Sequence, residues 1–152
     1  MNRLFFFPVF VILVFSCSTP LIREPRAAMN EWWEMRLVSL TLGPDQYNTP
    51  AGYWRPRAGR RFVWARVVVT NRLKTKQKFE FGRLKIRVGN DGFKPLIVDM
   101  AAPVSVRANT APLLEAGEAI ERIVIYSVPD GARPERIYFE SDVQRQALAI
   151  VI

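Results

Sequence analysis

The stretch "RFVWARVVVTN", Arg61 to Asn71, limits what this chain can fold into more than any other part of it. Val63, Ala65, Val67 and Val69 form an unbroken apolar row of period two, while Phe62, Trp64, Arg66, Val68 and Thr70 form the alternate row, which carries the polar residues. Successive side chains of a strand point to opposite faces, so this pattern specifies a strand with its valine row in a core.

Comparable runs recur between turn signals. Leu37 to Leu42 reads as an early strand. In "KFEFGRLKIRVG", Phe79 and Phe81 alternate in one phase and Leu84, Ile86 and Val88 in the other. The phase slips at Gly82, where one extra residue in a β-bulge is expected. Asn90-Asp91-Gly92 is a hairpin signal, because these residues tolerate the positive φ of tight turns, and Lys94 to Met100 is expected as the returning strand. Ile120 to Val128 puts Val124, Tyr126 and Val128 in one row and ends at Pro129-Asp130-Gly131. Arg136 to Glu140 follows with Ile137 and Phe139 inward, and "QALAIVI" closes the chain. The strongest helical competitor, residues 111–119, is short and contains Pro112 and Gly117. About seven short strands with frequent turns predict an all-β antiparallel sandwich or barrel, and 152 residues suffice for one core.

The N-terminus has a different character. Met1-Asn2-Arg3 is a basic start, and residues 4–15 are Leu, Phe, Val and Ile interrupted only by Pro8. As a helix this run would rise roughly 18 Å against a hydrocarbon core of about 30 Å, so it fits a cleaved signal peptide rather than a membrane span. The chain's single cysteine, Cys17, stands where the run stops. Val14-Phe15-Ser16-Cys17 resembles the lipobox of bacterial lipoproteins: an aliphatic residue, a variable one, a small one, then the cysteine. The resemblance implies that residues 1–16 are removed and that Cys17 carries palmitate-like acyl chains. Two or more chains hold a protein stably at a membrane, each buried CH₂ contributing about 0.8 kcal/mol. From there to about Asn30 the chain has two prolines, mixed charge and no apolar period, and a flexible tether is expected over residues 17–30, with the domain over 31–152.

Three stretches, "AGRRFVWARVVVTN", "LKIRVGNDGFKP" and "LLEAGEAIERIVIYSVPDGARPERIYFE", follow one another over more than half of the chain. In order and spacing they resemble a family of extracytoplasmic immunoglobulin-like domains of unknown function that recur on bacterial lipoproteins. The resemblance implies an immunoglobulin-like sandwich outside the cytoplasm, and carries no catalytic residues with it.

Composition excludes several chemistries. There is no histidine, so the commonest general base and transition-metal ligand is missing, and one cysteine forbids an internal disulfide. No cofactor or metal is expected. Asp91, Asp99, Glu115, Glu118 and Asp130 form no spaced catalytic pair, and Asp45, Gln46 and Asn48 lack the alternating oxygen ligands of a calcium loop. A non-catalytic module is therefore expected. Lys and Arg outnumber Asp and Glu by 22 to 14, a formal charge of +8 that favours anionic partners. Nucleic acid is not expected for an exported chain, which leaves the membrane and anionic envelope polymers. In "YWRPRAGRR", Tyr53, Trp54, Arg55, Arg57, Arg60 and Arg61 combine guanidinium forks with amphipathic rings and are the candidate contact residues. The same loop also reads as an ordinary solvated approach to a strand. A second role is an accessory subunit of an envelope protein complex, binding through an apolar patch or sheet edge. In "EWWEM", one ring of Trp32 and Trp33 is expected in the core and the other outside.

Overall fold

A computed structural model describes residues 18–102, 105–142 and 147–152; the expected signal peptide and Cys17 lie outside the described residues. The described chain is all-β. In order, its strands are β1 (Thr19–Pro20), β2 (Arg26–Met29), β3 (Trp33–Leu42), β4 (Tyr47–Thr49), β5 (Gly52–Trp54), β6 (Arg60–Asn71), β7 (Gln77–Lys78), β8 (Leu84–Val88), β9 (Asp91–Phe93), β10 (Ile97–Met100), β11 (Leu113–Leu114), β12 (Ala119–Pro129), β13 (Arg136–Phe139) and β14 (Leu148–Val151). Every pairing is antiparallel. One sheet runs β1-β3-β6-β12-β10, with β2 also on β3; a second runs β14-β13-β8-β9; β4-β5 and β11-β7 form small ribbons.

The two larger sheets share one core. Val63, Ala65, Val67 and Val69 of β6 are all fully buried, as their row predicts, and so are Val124, Tyr126 and Val128 of β12. They meet Leu84 and Ile86 of β8, Ile137 and Phe139 of β13, and Leu148 and Ile150 of β14. Phe79 is central, with its ring stacked on Phe139 at 4.4 Å and edge-on to Trp33 at 5.1 Å. Trp33 is buried, and Trp32, expected outside, is only partly exposed and packs against the same core. The Tyr126 hydroxyl crosses between the sheets and donates to the Leu84 carbonyl at 2.9 Å. In β3, a register shift between Leu37 and Ser39 brings Leu40 onto the same side as Trp33, Met35 and Leu37.

Four local expectations are corrected. The phase slip at Gly82 is one turn of 3-10 helix, Phe81–Arg83, rather than a bulge; both devices shift the inward row by one residue, and periodicity does not distinguish them. The hairpin turn after β8 is Gly89-Asn90, one residue earlier than Asn90-Asp91-Gly92: Val88 pairs with Asp91, and Gly89 takes the positive φ of 57°. Lys94 to Met100 is not the returning strand of that hairpin. β9 returns, and residues 94–96 then cross to the other sheet, where β10 pairs with β12.

The fourth concerns the described part of the expected tether. Thr19 and Pro20 pair with Leu42 and Thr41, Arg26–Met29 pair with Glu34–Leu37, and Ile22 is buried in the main core. Without these segments β3 would be a long edge with open amides and carbonyls, and their pairing with it covers that edge. Their own side chains are mostly exposed, so no apolar period announces them, and Pro20 is the kind of residue an edge strand accepts.

Candidate binding surface

Four of the candidate contact residues, Tyr53, Trp54, Arg55 and Arg57, lie on a flap that follows β3 and folds over the outer face of the first sheet, and Arg60 and Arg61 begin β6 at its return. Gly43 donates its amide to the Phe62 carbonyl at 2.8 Å and starts the return. Asp45 then pins the flap: one carboxylate oxygen accepts the Phe62 amide at 2.8 Å and the other accepts Arg61 Nε at 3.1 Å. Trp64 Nε1 donates to the Pro44 carbonyl at 2.8 Å. Beneath the flap a second small core forms from Tyr47, Phe62, Ile97 and Ile125. Phe62, from the row expected to carry the polar residues, is thereby fully buried.

The β4-β5 ribbon ends the flap and presents Tyr53, Trp54, Arg55 and Arg57 to solvent. Tyr53 is 60% exposed and Trp54 46%, large values for aromatic rings. The Arg55 guanidinium lies 5.1 Å from the centre of the Tyr53 ring and donates to Gln46 Oε1 at 3.2 Å. Among the described residues the Arg57 side chain has no bonded partner. Arg60 and Arg61 play a different part. Arg60 bonds to Ser127 and lies 5.3 Å from the Phe93 ring centre, and Arg61 is paired with Asp45. The structure thus gathers Arg55, Arg57 and Arg60 with Asp45 and Gln46 around one open hollow. Trp54 borders the neighbouring hollow with Tyr47, Thr49, Ser105 and Arg107. There the Arg107 guanidinium stands 4.8 Å from the Trp54 ring centre, an attraction between cation and ring face.

Under this second hollow sits a carboxylate that the sequence shows only as one of several without a catalytic partner. Asp99 is 2% exposed, a buried carboxylate within β10. It accepts the Val106 amide at 2.9 Å, and Met100 donates its amide to the Val106 carbonyl, so Asp99 holds the following loop back against its own strand. Tyr47 is its neighbour. Burial first, and then the Asp99 carboxylate, push the Tyr47 phenol up to about 12. That hydroxyl has no hydrogen bond of good geometry, with Asp99 and Ser105 as its nearby polar groups. The available signal was an aspartate inside the apolar run "PLIVDM".

Among the described residues no group of carboxylates, cysteines or histidines is placed to hold a metal ion, and no helix is long and apolar enough to cross a membrane. The opposite end of the molecule spends its charges on one another. Lys76 pairs with Glu115, Lys78 and Arg83 with Glu80, Arg83 with Asp142, and Lys85 with Glu140. At the flap end, Arg55 and Arg57 stand outside any ion pair among the described residues, beside two exposed aromatic rings.

No protein-family model matches the sequence, and no curated protein matches it. Solved structures do match its fold. A candidate lipoprotein of Bacillus subtilis, ycdA, superposes over 86% of this chain at 10% identity with a TM-score of 0.59; this chain spans 39% of that protein's length. A functionally unknown protein of Listeria monocytogenes matches over 90% of this chain and 87% of its own, at 7% identity and TM-score 0.56. A conserved hypothetical protein of Bacillus anthracis covers 77% of this chain and 91% of its own, at 15% identity and TM-score 0.50. At such identities the likeness is one of fold: a β-rich domain found in bacterial proteins.

Proposed function

We propose that this chain is an exported lipoprotein, held to a bacterial membrane by acyl chains on Cys17, whose immunoglobulin-like sandwich serves as a non-catalytic binding module for an anionic envelope component. The observation that carries this reading is the flap, which holds Arg55 and Arg57 outward beside exposed Tyr53 and Trp54, neither arginine in an ion pair because the nearby Asp45 is committed to Arg61. The residue pattern before Cys17 supports the anchor, and a candidate lipoprotein among proteins of similar fold is consistent with it. Mass spectrometry of the protein from its native membrane tests the anchor: diacylglyceryl on Cys17 at the mature N-terminus is expected, and a bare thiol behind an intact leader would end the reading. A companion variant, Cys17→Ala, is expected to leave membrane pellets while keeping its fold.

A second reading, accessory subunit of an envelope complex, has its own support. Leu96, Met100 and Val106 are exposed together beside β10, an apolar patch at a margin of the first sheet whose outer backbone groups residues 106–108 already occupy. A stoichiometric protein partner that survives high salt after detergent extraction would favour it, whereas salt-sensitive retention on anionic material favours the flap.

A further inference from the structure

The geometry points to the bilayer that carries the anchor as the partner of the flap: Tyr53, Trp54, Arg55 and Arg57 dock on anionic lipid headgroups and fix the domain's orientation on the membrane. This rests on the lipoprotein reading above and adds to it a partner and a pose.

The argument starts from where the chain enters the domain. Thr19 pairs with Leu42 at the end of β3, and Leu42 pairs with Val63, two residues after Arg61. β1 runs inward from Thr19, with Leu21 donating its amide to the Leu40 carbonyl, so residue 18 leaves from the Leu42 end of the sheet. That is the end where Gly43 begins the flap and where Arg60 starts β6. Neighbouring strands lie about 4.8 Å apart, so the entry point is roughly 10 Å across the sheet from β6. Cys17 precedes Thr19 by two residues, which span at most about 7 Å. No tether long enough to hold the domain clear of the headgroups remains between acylated Cys17 and the first strand. An anchored domain therefore keeps this end at the membrane, and this is the end at which the flap shows unneutralised arginines and exposed rings.

The chemistry of the flap suits that surface. Guanidinium forks bind phosphate in two places at once, and tryptophan and tyrosine favour the headgroup level, where one side of the ring is wet and the other apolar. The turn after Pro129 extends the same end, since Asp130 donates its amide to the Gly59 carbonyl; it exposes Arg133 together with the Asp130 carboxylate, so the positive charge of this end comes from Arg55 and Arg57. At the far end most charges are held in the ion pairs already described; Arg72 and Lys74 are exposed there outside them, and the short link from Cys17 leaves that end away from the bilayer.

The test uses the full chain, produced in a bacterium that lipidates it and reconstituted into vesicles of phosphatidylcholine alone or with phosphatidylglycerol, with bromine on the acyl chains to quench tryptophan. Flotation with both vesicles is expected, with quenching that requires phosphatidylglycerol and disappears in Trp54→Phe. The double variant Arg55→Ala/Arg57→Ala is expected to float equally well but to lower the docking equilibrium roughly 30-fold, from about 1 kcal/mol per arginine near an anionic surface. Both side chains are exposed, and circular dichroism of the variants confirms the fold. Flotation without quenching of Trp54, or equal quenching on neutral lipid, would overturn the docking and leave the anchor standing. Flotation on neither vesicle would remove the anchor, and the proposed pose with it.

Discussion

Replacing Asn71 by alanine should cost this domain a sizeable part of its stability. Asn71 is fully buried at the end of β6. Its Nδ2 donates to the carbonyls of Thr75 at 2.8 Å, Glu115 at 2.9 Å and Leu114 at 3.1 Å, and its Oδ1 accepts the Leu73 amide at 3.0 Å. One side chain thus ties the turn after β6 to the turn before β12. Thr75 and Glu115 are exposed, so their carbonyls recover water when the amide is removed. Leu114 is fully buried, but its carbonyl keeps its cross-strand partner, because Leu114 pairs with Gln77. Losing the buried bond to Leu114 and the bond to the Leu73 amide costs about 1 kcal/mol each. The sum, roughly 2 kcal/mol, is a sizeable share of the about 5–15 kcal/mol that holds a domain of this size. Urea unfolding followed by tryptophan fluorescence reads it as a lower midpoint at unchanged slope. Asn71→Asp, which keeps the acceptor but turns a carboxylate oxygen toward three carbonyls, should be no better than alanine. A shift for Asn71→Ala within about 0.5 kcal/mol, the range of an ordinary surface change, would refute the clamp.

Other outcomes follow from the same geometry. Val67→Asp buries an unpaired charge in the row shared by β3, β6 and β12 and should abolish folding, read as loss of the thermal transition; a normal melting temperature would mean the row is misplaced. Ile22→Ala should cost about 2–4 kcal/mol in urea unfolding, since the side chain belongs to the main core, whereas a free tether would give no change. The Tyr47 phenol, raised to about 12 in the fold, should ionise later than the ordinary phenol near 10. A folded-state value above the unfolded one means the stability tied to it is intact below pH 10 and is lost as pH climbs from about 10 through 12. Phenolate absorbance should show a late-titrating group missing in Tyr47→Phe, and an unchanged titration curve in that variant would count against the buried assignment. Tyr126→Phe should cost about 1 kcal/mol by removing the bond to the Leu84 carbonyl, measured in the same urea assay.

What the sequence disclosed and what it withheld divide along physical lines. The valine row of β6, the Val124-Tyr126-Val128 row and the inward Ile137 and Phe139 were legible because a buried face imposes period two on the residues themselves. β1 and β2 were not, because an edge strand that shows its side chains to solvent is selected by the backbone groups it pairs with, and those leave no mark in composition. The 3-10 turn at Gly82 and a bulge produce the same change of phase. The flap residues were legible as chemistry, guanidinium beside aromatic ring, but not as an arrangement. Nothing in "YWRPRAGRR" tells that Arg60 and Arg61 are committed to Ser127, Phe93 and Asp45 while Arg55 and Arg57 stay outside. Nor does the spacing of Tyr47 and Asp99, far apart in sequence, disclose that they meet beneath Trp54 and Arg107.

The seating of β1 also has a mechanical side. Tension on the chain ahead of Thr19 runs along the strand axis, so the contacts to Leu42, Thr41 and Leu40 are loaded together in shear instead of being unzipped one at a time. Behind them Ile22 sits in the core like a barb, and a sideways tug in a crowded wall would reach the folded body before it freed the first strand.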